Sequence, residues 1–401
     1  MPATAHIPRR YDLDWLRITA FGILIFYHIG MFYVSWEWHV KSVHAGNDAQ
    51  WAMMLVNPWR LSLLFLISGV ALRFALDKTN GGRLARERVV RLGLPVVFGM
   101  ALVVAPQSWL QLLEAGETDK SFFGFYPAYL DFGSDFSITT PTWNHLWYVV
   151  YLLVYTLILA LIGPTLSTWT RKGGERLFET VFDGRWGVPA LLIVPALPHF
   201  LYRVILDPAF PTTHALVNDW ANHAHSFTIL VTGFFFAKSP AVWCAISRAW
   251  PWALGLAVGL GAGLSFIWAN WEVWMAEDGV LVGWIWPARL ARIWYAWLLI
   301  AAILGMGQCW LNRPGRALTY MTEAIFPWYI LHQTLTVMAG YWLTRQGLGA
   351  WAEFAGVTLA TIGGCFLLHE LVIRRISWLR PLFGLKPKAV RQAGIPAIST
   401  P

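Results

Sequence analysis

Two ionisable residues stand inside the first long apolar stretch of this chain. Residues Leu13 to Val34 read LDWLRITAFGILIFYHIGMFYV, and they contain Asp14, Arg17 and His28. A spanning helix needs about 20 apolar residues, so the stretch is long enough to cross a bilayer. Ionisable side chains at such depth are costly and point to function. Arg17 and His28 are eleven residues apart, close to three turns at about 3.6 residues per turn. They share one helical face, roughly 16 Å apart along the axis at about 1.5 Å per residue. Asp14 lies three residues before Arg17 and can hold its guanidinium. An imidazole is a base near neutral pH, so His28 is a candidate proton acceptor. The alternative is a snorkelling arginine and a histidine satisfied by a neighbouring helix.

A second set follows the next apolar stretch. DKTNGGRLARERVVRLGLP gathers Arg83, Arg86, Arg88 and Arg91 around Glu87. Arginines clustered at a helix start suit phosphate groups, through bidentate forks and free backbone N–H groups. Such loops are also basic for topological reasons alone. Further polar residues fall in apolar stretches: Arg60, Ser68, His145, Tyr148, Arg289, Arg292, Glu323, Tyr329 and His332. Buried charges on several helices imply a polar interior, as a catalytic chamber or a transport pathway would have. His214, His223 and His225 are too loosely spaced to predict a metal site. The three cysteines show no paired spacing, so no zinc site or disulfide framework is expected. There is no phosphate-binding G-x-x-x-x-G-K-[ST] loop, no G-x-S-x-G and no H-E-x-x-H.

The elements that position these residues follow from composition. The 401 residues are 57% hydrophobic and 13% charged, against about 45–50% and about 25% in soluble domains. The expected class is an all-α, polytopic integral membrane protein. Ten spans are predicted near 13–34, 54–76, 90–112, 144–163, 187–206, 224–240, 251–271, 283–310, 322–343 and 350–373. The fifth contains Pro195 and Pro198, and the sixth is short. Alternate loops carry the lysines and arginines, while the opposite set holds Glu37, Asp48, Glu114, Glu117, Asp119, Asp131, Asp135, Glu272, Glu277 and Asp278. That alternation predicts both termini in the cytoplasm. The net charge of +8 is explained by these loops, not by nucleic acid. The start, MPATAHIPRRYDLDW, lacks a signal-peptide pattern, so the first helix is expected to be retained. One transmembrane domain is expected over 1–380, with a basic tail over 381–401 that lies against the inner leaflet and ends in disorder. The long outer loop 113–142 is acidic and aromatic, as a sugar-facing loop or an interfacial belt would be.

Read together, the motifs resemble the acyltransferase-3 family of membrane acyltransferases. Arg17 to His28 fits its R-x10-H signature, LDWLR its opening D-x-L-R, and Arg88 to Arg91 its R-x-x-R on the first inner loop. LLFLISG, HLWYVVYLL and PWYILHQ resemble its second-, fourth- and ninth-helix patches, while 165–280 carries no trusted motif. YDLDWLR and PWRLSLLFLISGVALRF look most like the branch associated with succinylation of periplasmic glucans. The resemblance implies a bacterial inner-membrane enzyme that moves an acyl group, succinyl favoured and acetyl possible, from cytoplasmic acyl-CoA to a glycan hydroxyl. It implies His28 as base, by direct transfer or through an acyl-histidine. Arg17, backed by Asp14, would hold a donor phosphate or carbonyl. Arg86, Arg88, Arg91 and Ser68 would bind the donor, and Tyr148, Tyr329 and His332 would polarise the thioester or orient the acceptor. No tightly bound cofactor is implied. Expected partners are acyl-CoA, a periplasmic glucan or other glycan, the bilayer and a second copy of the chain. A sugar or acyl exporter, and a scaffold for a glucan synthase, are the other classes open.

Overall fold

The computed structural model describes residues 9–132, 135–275 and 285–387. Glu277 and Asp278 of the outer loops, and Lys388 and Arg391 of the tail, lie outside the described residues. Ten long helices are found among the described residues. In chain order they are α1 (Tyr11–Tyr33), α2 (Gln50–Leu76), α3 (Gly81–Glu114), α4 (Asn144–Phe182), α5 (Gly184–Ile205), α6 (Trp220–Phe236), α7 (Pro240–Ala269), α8 (Ile285–Trp310), α9 (Arg316–Leu343) and α10 (Ala350–Ile373).

Eight of the ten are long and apolar enough to cross a membrane. The exceptions are α6 and α9, for different reasons. Helix α6 has only 17 residues. Helix α9 has 28 residues, but His332, Gln333, Thr334 and Thr336 dilute its apolar run, and all four are buried in the protein. A helix enclosed by other helices does not need a lipid-compatible surface.

Local sequence explains the irregular helices. Pro195 and Pro198 break α5 into two α segments joined by a 3-10 turn over Val194–Ala196. Helix α3 widens into π turns at Val89–Gly93 and Gly99–Val103, a feature frequent at functional sites. A short loop helix, Phe122–Leu130, lies over the second of these turns. From it Tyr129 donates to the Met100 carbonyl at 2.6 Å and Tyr126 to the Ala101 carbonyl at 2.9 Å. These loop aromatics are therefore bound into the fold, whereas Phe123 and Phe132 are exposed.

Helix α1 packs against α2, α8, α9 and α10. Its apolar sequence thus meets protein on several sides, and Ile29 and Phe32 are fully buried. Side-chain contacts sort the loops into two ends. At one end Tyr11 N–H donates to Asn312, Asp77 pairs with Lys238, and Glu323 pairs with Arg374 and Arg380. At the other, Ser42 donates to Glu353, Val43 N–H to Thr344, and Arg345 pairs with Glu114. The basic loops fall at the first end. Residues 381–387 also lie folded there, with Phe383 buried against Phe98.

Close approach of α2 and α6 depends on two glycines. A Cβ on Gly69 would stand 1.9 Å from the Leu230 carbonyl oxygen, and one on Gly233 would stand 2.0 Å from that of Leu66. Small residues are what allow helix backbones to meet this closely in a membrane. Gly69→Val and Gly233→Val are each expected to cost about 1–3 kcal/mol or more by forcing the helices apart. In contrast, Gly255 in α7 has open space around it, so Gly255→Ala is expected to stabilise by roughly 0.5–1 kcal/mol. Thermal unfolding in detergent checks both signs.

Candidate active site

Three helices bring the polar residues together. His28 comes from α1, His145 and Tyr148 from the start of α4, and Tyr329, His332 and Gln333 from α9. On α9, Tyr329 and His332 are three residues apart and Gln333 is four from Tyr329, so all three fall on neighbouring turns of one face.

The central contact is between two imidazoles. His28 Nδ1 lies 2.7 Å from His332 Nε2. Their planes differ by only 6° with centroids 5.0 Å apart, which places the hydrogen bond in the shared ring plane. His332 Nδ1 lies 2.7 Å from the Tyr329 carbonyl oxygen. A carbonyl only accepts, so neutral His332 carries its proton on Nδ1 and offers a lone pair at Nε2. His28 must then donate from Nδ1, which leaves its Nε2 lone pair without a protein partner among the described residues. A chain of two hydrogen bonds anchored on one peptide carbonyl thus selects the tautomer of His28.

His28 lines a chamber of ≈ 790 Å³. Its walls include Trp38, Trp143, Trp147, Tyr148, Asn144 and Gln333, together with Arg60 and Arg292. Exposed Glu37 and the loop residues Thr212 and His214 also line it, so it reaches the acidic-loop end of the bundle. Flat rings with interspersed amides and carboxylates suit a saccharide. Arg60 is almost fully buried, donates to Asn57 at 2.7 Å, and stacks 3.5 Å over the Tyr27 ring. Neither Arg60 nor Arg292 has an ion-pair partner within 4 Å among the described residues. Burial lowers the pKa of His39 and of His214, both on loops at the chamber mouth, and keeps those rings neutral.

The other predicted residues gather at the opposite end. Arg17 donates to Asp14 at 3.2 Å, and Asp14 also takes Arg9 at 2.8 Å. Arg88 immediately precedes the first π turn of α3 and Arg91 lies within it, and the field of Arg17 reaches both. Arg86 is exposed on the same helical stretch. None of Arg86, Arg88 and Arg91 has an ion-pair partner within 4 Å among the described residues, so three forks stay available for an anion.

Between the two ends lies an aromatic septum. Phe21, one turn above Arg17, packs edge-on to Tyr148 at 6.0 Å and against Tyr329 at 5.1 Å. Phe65 closes on Tyr148 at 4.7 Å. Tyr148 and Tyr329 line the chamber, whereas Phe21 and Arg17 do not.

Several expected roles are placed differently. Tyr329 donates its phenol to the His145 carbonyl at 2.5 Å, and both nitrogens of His332 are engaged. In this arrangement His332 stands behind His28, and Tyr329 lines the chamber with its hydroxyl committed to α4. Ser68 meets the Tyr148 hydroxyl at 3.2 Å, inside the septum and one helix away from the arginine cluster. Arg289 is exposed and stacks on Trp286. His223 bonds Tyr155 and His225 bonds His199 and Asp207, while His214 stacks on Trp147. The three histidines do not converge. Sequence reading missed His39, Gln107 and Gln333, whose amide and imidazole types carry no spacing signal of their own.

A multi-helix membrane protein with a bonded histidine pair at the wall of an internal chamber is the class defined by this fold and site. The chain belongs to the acyltransferase-3 family, whose acyltransferase domain matches residues 10–370. It is 24% identical over 411 residues to glucans biosynthesis protein C of Shigella dysenteriae, with 96% of each chain covered. It is 23% identical over 410 residues to the protein of that name from Escherichia coli O1:K1, with the same coverage. No solved structure matches it.

The tautomer argument makes His332 a positioning residue. His332→Ala is expected to lower kcat for acyl transfer by about 10- to 100-fold, as loss of an orienting partner does. His332→Gln keeps a hydrogen-bond acceptor for His28 Nδ1–H and should recover part of that loss. Equal kcat values for the two variants would show that orientation of His28 does not depend on residue 332.

Proposed function

We propose that this chain is an inner-membrane O-acyltransferase that takes an acyl group from cytoplasmic acyl-CoA and places it on a hydroxyl of a periplasmic glucan or related glycan. All ten helices cross the bilayer in this reading, with both termini and the arginine cluster in the cytoplasm and the chamber open to the periplasm. The observation that carries it is the His28–His332 pair, which leaves His28 Nε2 free on the wall of the chamber.

The donor's phosphates dock on Arg86, Arg88 and Arg91, with Arg17 held by Asp14 as the first contact for its pantetheine arm. That arm is thin and reaches His28 by parting Phe21, Tyr148 and Tyr329. His28 Nε2 takes the acceptor hydroxyl proton, the oxygen attacks the thioester carbon, and the C–S bond breaks. The imidazolium returns the proton to the departing sulfur, so no net proton is consumed. Tyr148, bonded to Ser68 and lining the chamber, can donate to the carbonyl oxygen as it becomes negative. A direct transfer needs only one base, and the position of His28 on the chamber wall supports that reading over an acyl-histidine. Arg60 and Arg292 put positive charge on the chamber wall and favour an acyl group with a distal carboxylate, which supports succinyl over acetyl.

The test is transfer by purified protein from succinyl-CoA to glucan oligosaccharides. His28→Ala is expected to lose at least 100-fold in kcat, in line with removal of a general base. Arg88→Ala with Arg91→Ala should raise the KM for the donor and leave that for the acceptor unmoved. Wild-type transfer by His28→Ala would sink the assignment of the base. The acyl preference is checked separately. Arg60→Met and Arg292→Met should each lower the succinyl-to-acetyl ratio of kcat/KM by about 10-fold, and an unchanged ratio would remove these residues from acyl recognition.

A further inference from the structure

One amide beside His332 is left with an oxygen that no described residue uses. The order of hydrogen bonds around it follows from a single backbone group. Pro106 has no N–H, and the N–H of Gln107 goes to the Val104 carbonyl at 2.8 Å. The Val103 carbonyl therefore takes the hydroxyl of Thr334, at 2.6 Å. With its proton committed, Thr334 Oγ1 can only accept, and Gln107 Nε2 donates to it at 2.6 Å. This turns Gln107 Oε1 towards Gln333, whose Nε2 donates to it at 3.0 Å and reaches His39 Nε2 at 2.9 Å. His39 Nδ1 is committed to Gln111 Oε1 at 2.5 Å, so its Nε2 is the accepting nitrogen. Both N–H groups of Gln333 are thereby used, and its Oε1 has no hydrogen-bond partner among the described residues.

Gln333 lines the chamber, immediately follows His332 in α9, and is 3% exposed. A buried amide oxygen held on rigid neighbours and open to a cavity is a preorganised acceptor for a hydroxyl. We propose that Gln333 is a specificity-determining residue that accepts a hydrogen bond from a second hydroxyl of the acceptor, so that the site takes polyols such as sugars and not simple alcohols. This rests on the acyl-transfer reading above. Binding the second hydroxyl fixes which hydroxyl meets His28 Nε2, and so fixes the position that is acylated.

The experiment uses the full chain, succinyl-CoA and glucose oligosaccharides in which one hydroxyl at a time is replaced by hydrogen. For the wild type, removing the hydroxyl bound by Gln333 is expected to lower kcat/KM by about 10-fold or more, because the amide oxygen is left unpaired. Gln333→Leu should raise the acceptor KM, leave the succinyl-CoA KM unchanged, and lose discrimination against that deoxy sugar. Thr334→Val removes the donor to Val103, frees the Gln107 amide to turn over, and should raise the acceptor KM with Gln333 intact. The Thr334 variant and the wild-type panel decide the matter even where Gln333→Leu does not fold. Undiminished discrimination in Gln333→Leu, or equal rises in both KM values, overturns the assignment and leaves the acyl-transfer reading standing. Absence of wild-type transfer to any saccharide overturns both.

Discussion

The hydrogen bond between His28 and His332 is the contact on which the site depends. It lies among helices whose side chains are mostly apolar, where an unpaired polar group is expensive. The usual partner for a catalytic histidine is a carboxylate, but a buried charge carries a desolvation penalty of several kcal/mol. A second imidazole orients the first without that charge. The bond to the Tyr329 carbonyl then anchors the pair to the backbone of α9. Neither ring can turn over without breaking one of these bonds, so a neutral pair achieves what a charged one would achieve at greater cost.

Everything around this bond serves to keep α1 and α9 in register. Phe32 fills the space against Gly340 of α9, where an added Cβ would stand 2.9 Å from its ring. His145 donates from Nε2 to the Ile330 carbonyl at 3.1 Å, and Tyr329 donates back to the His145 carbonyl. These two bonds tie α4 to α9 at Tyr329 and Ile330, three and two residues before His332. The polar residues of α9 explain both facts about that helix. They build the site, and they make its sequence too polar to pass as a lipid-facing span.

Much of this was legible from residue types. Helix positions followed from apolar runs, and all ten predicted segments correspond to helices among the described residues. The Arg17–His28 spacing puts the two residues on one face, because helical geometry is local. The hydrogen-bond partners of Tyr329 and His332 were not legible. Whether a polar side chain faces a substrate or a neighbour depends on which carbonyls come within reach, and these belong to α4 and α9, roughly 180 residues apart in sequence. Gln107 and Gln333 are 226 residues apart and meet only in the fold. The two prolines of the fifth segment do mark its break, since proline acts on its own turn.

The septum of Phe21, Phe65, Tyr148 and Tyr329 bears on how two ends of one membrane protein can cooperate safely. A continuous polar conduit across a bilayer would conduct protons and ions whenever it stood empty. Here the arginine cluster and the chamber are separated by packed rings, three of which, Phe21, Tyr148 and Tyr329, come from the helices that hold His28, His145 and His332. Parting them costs buried aromatic contact, and only a ligand that binds the open arrangement better can offset that cost. In the function proposed above, a donor gripped by several arginines would have binding energy to spend in this way, whereas water and small ions would not. Phosphate anchoring at one end and exposure of a base at the other would then be coupled through Phe21, which lies one turn from Arg17 and in contact with both tyrosines.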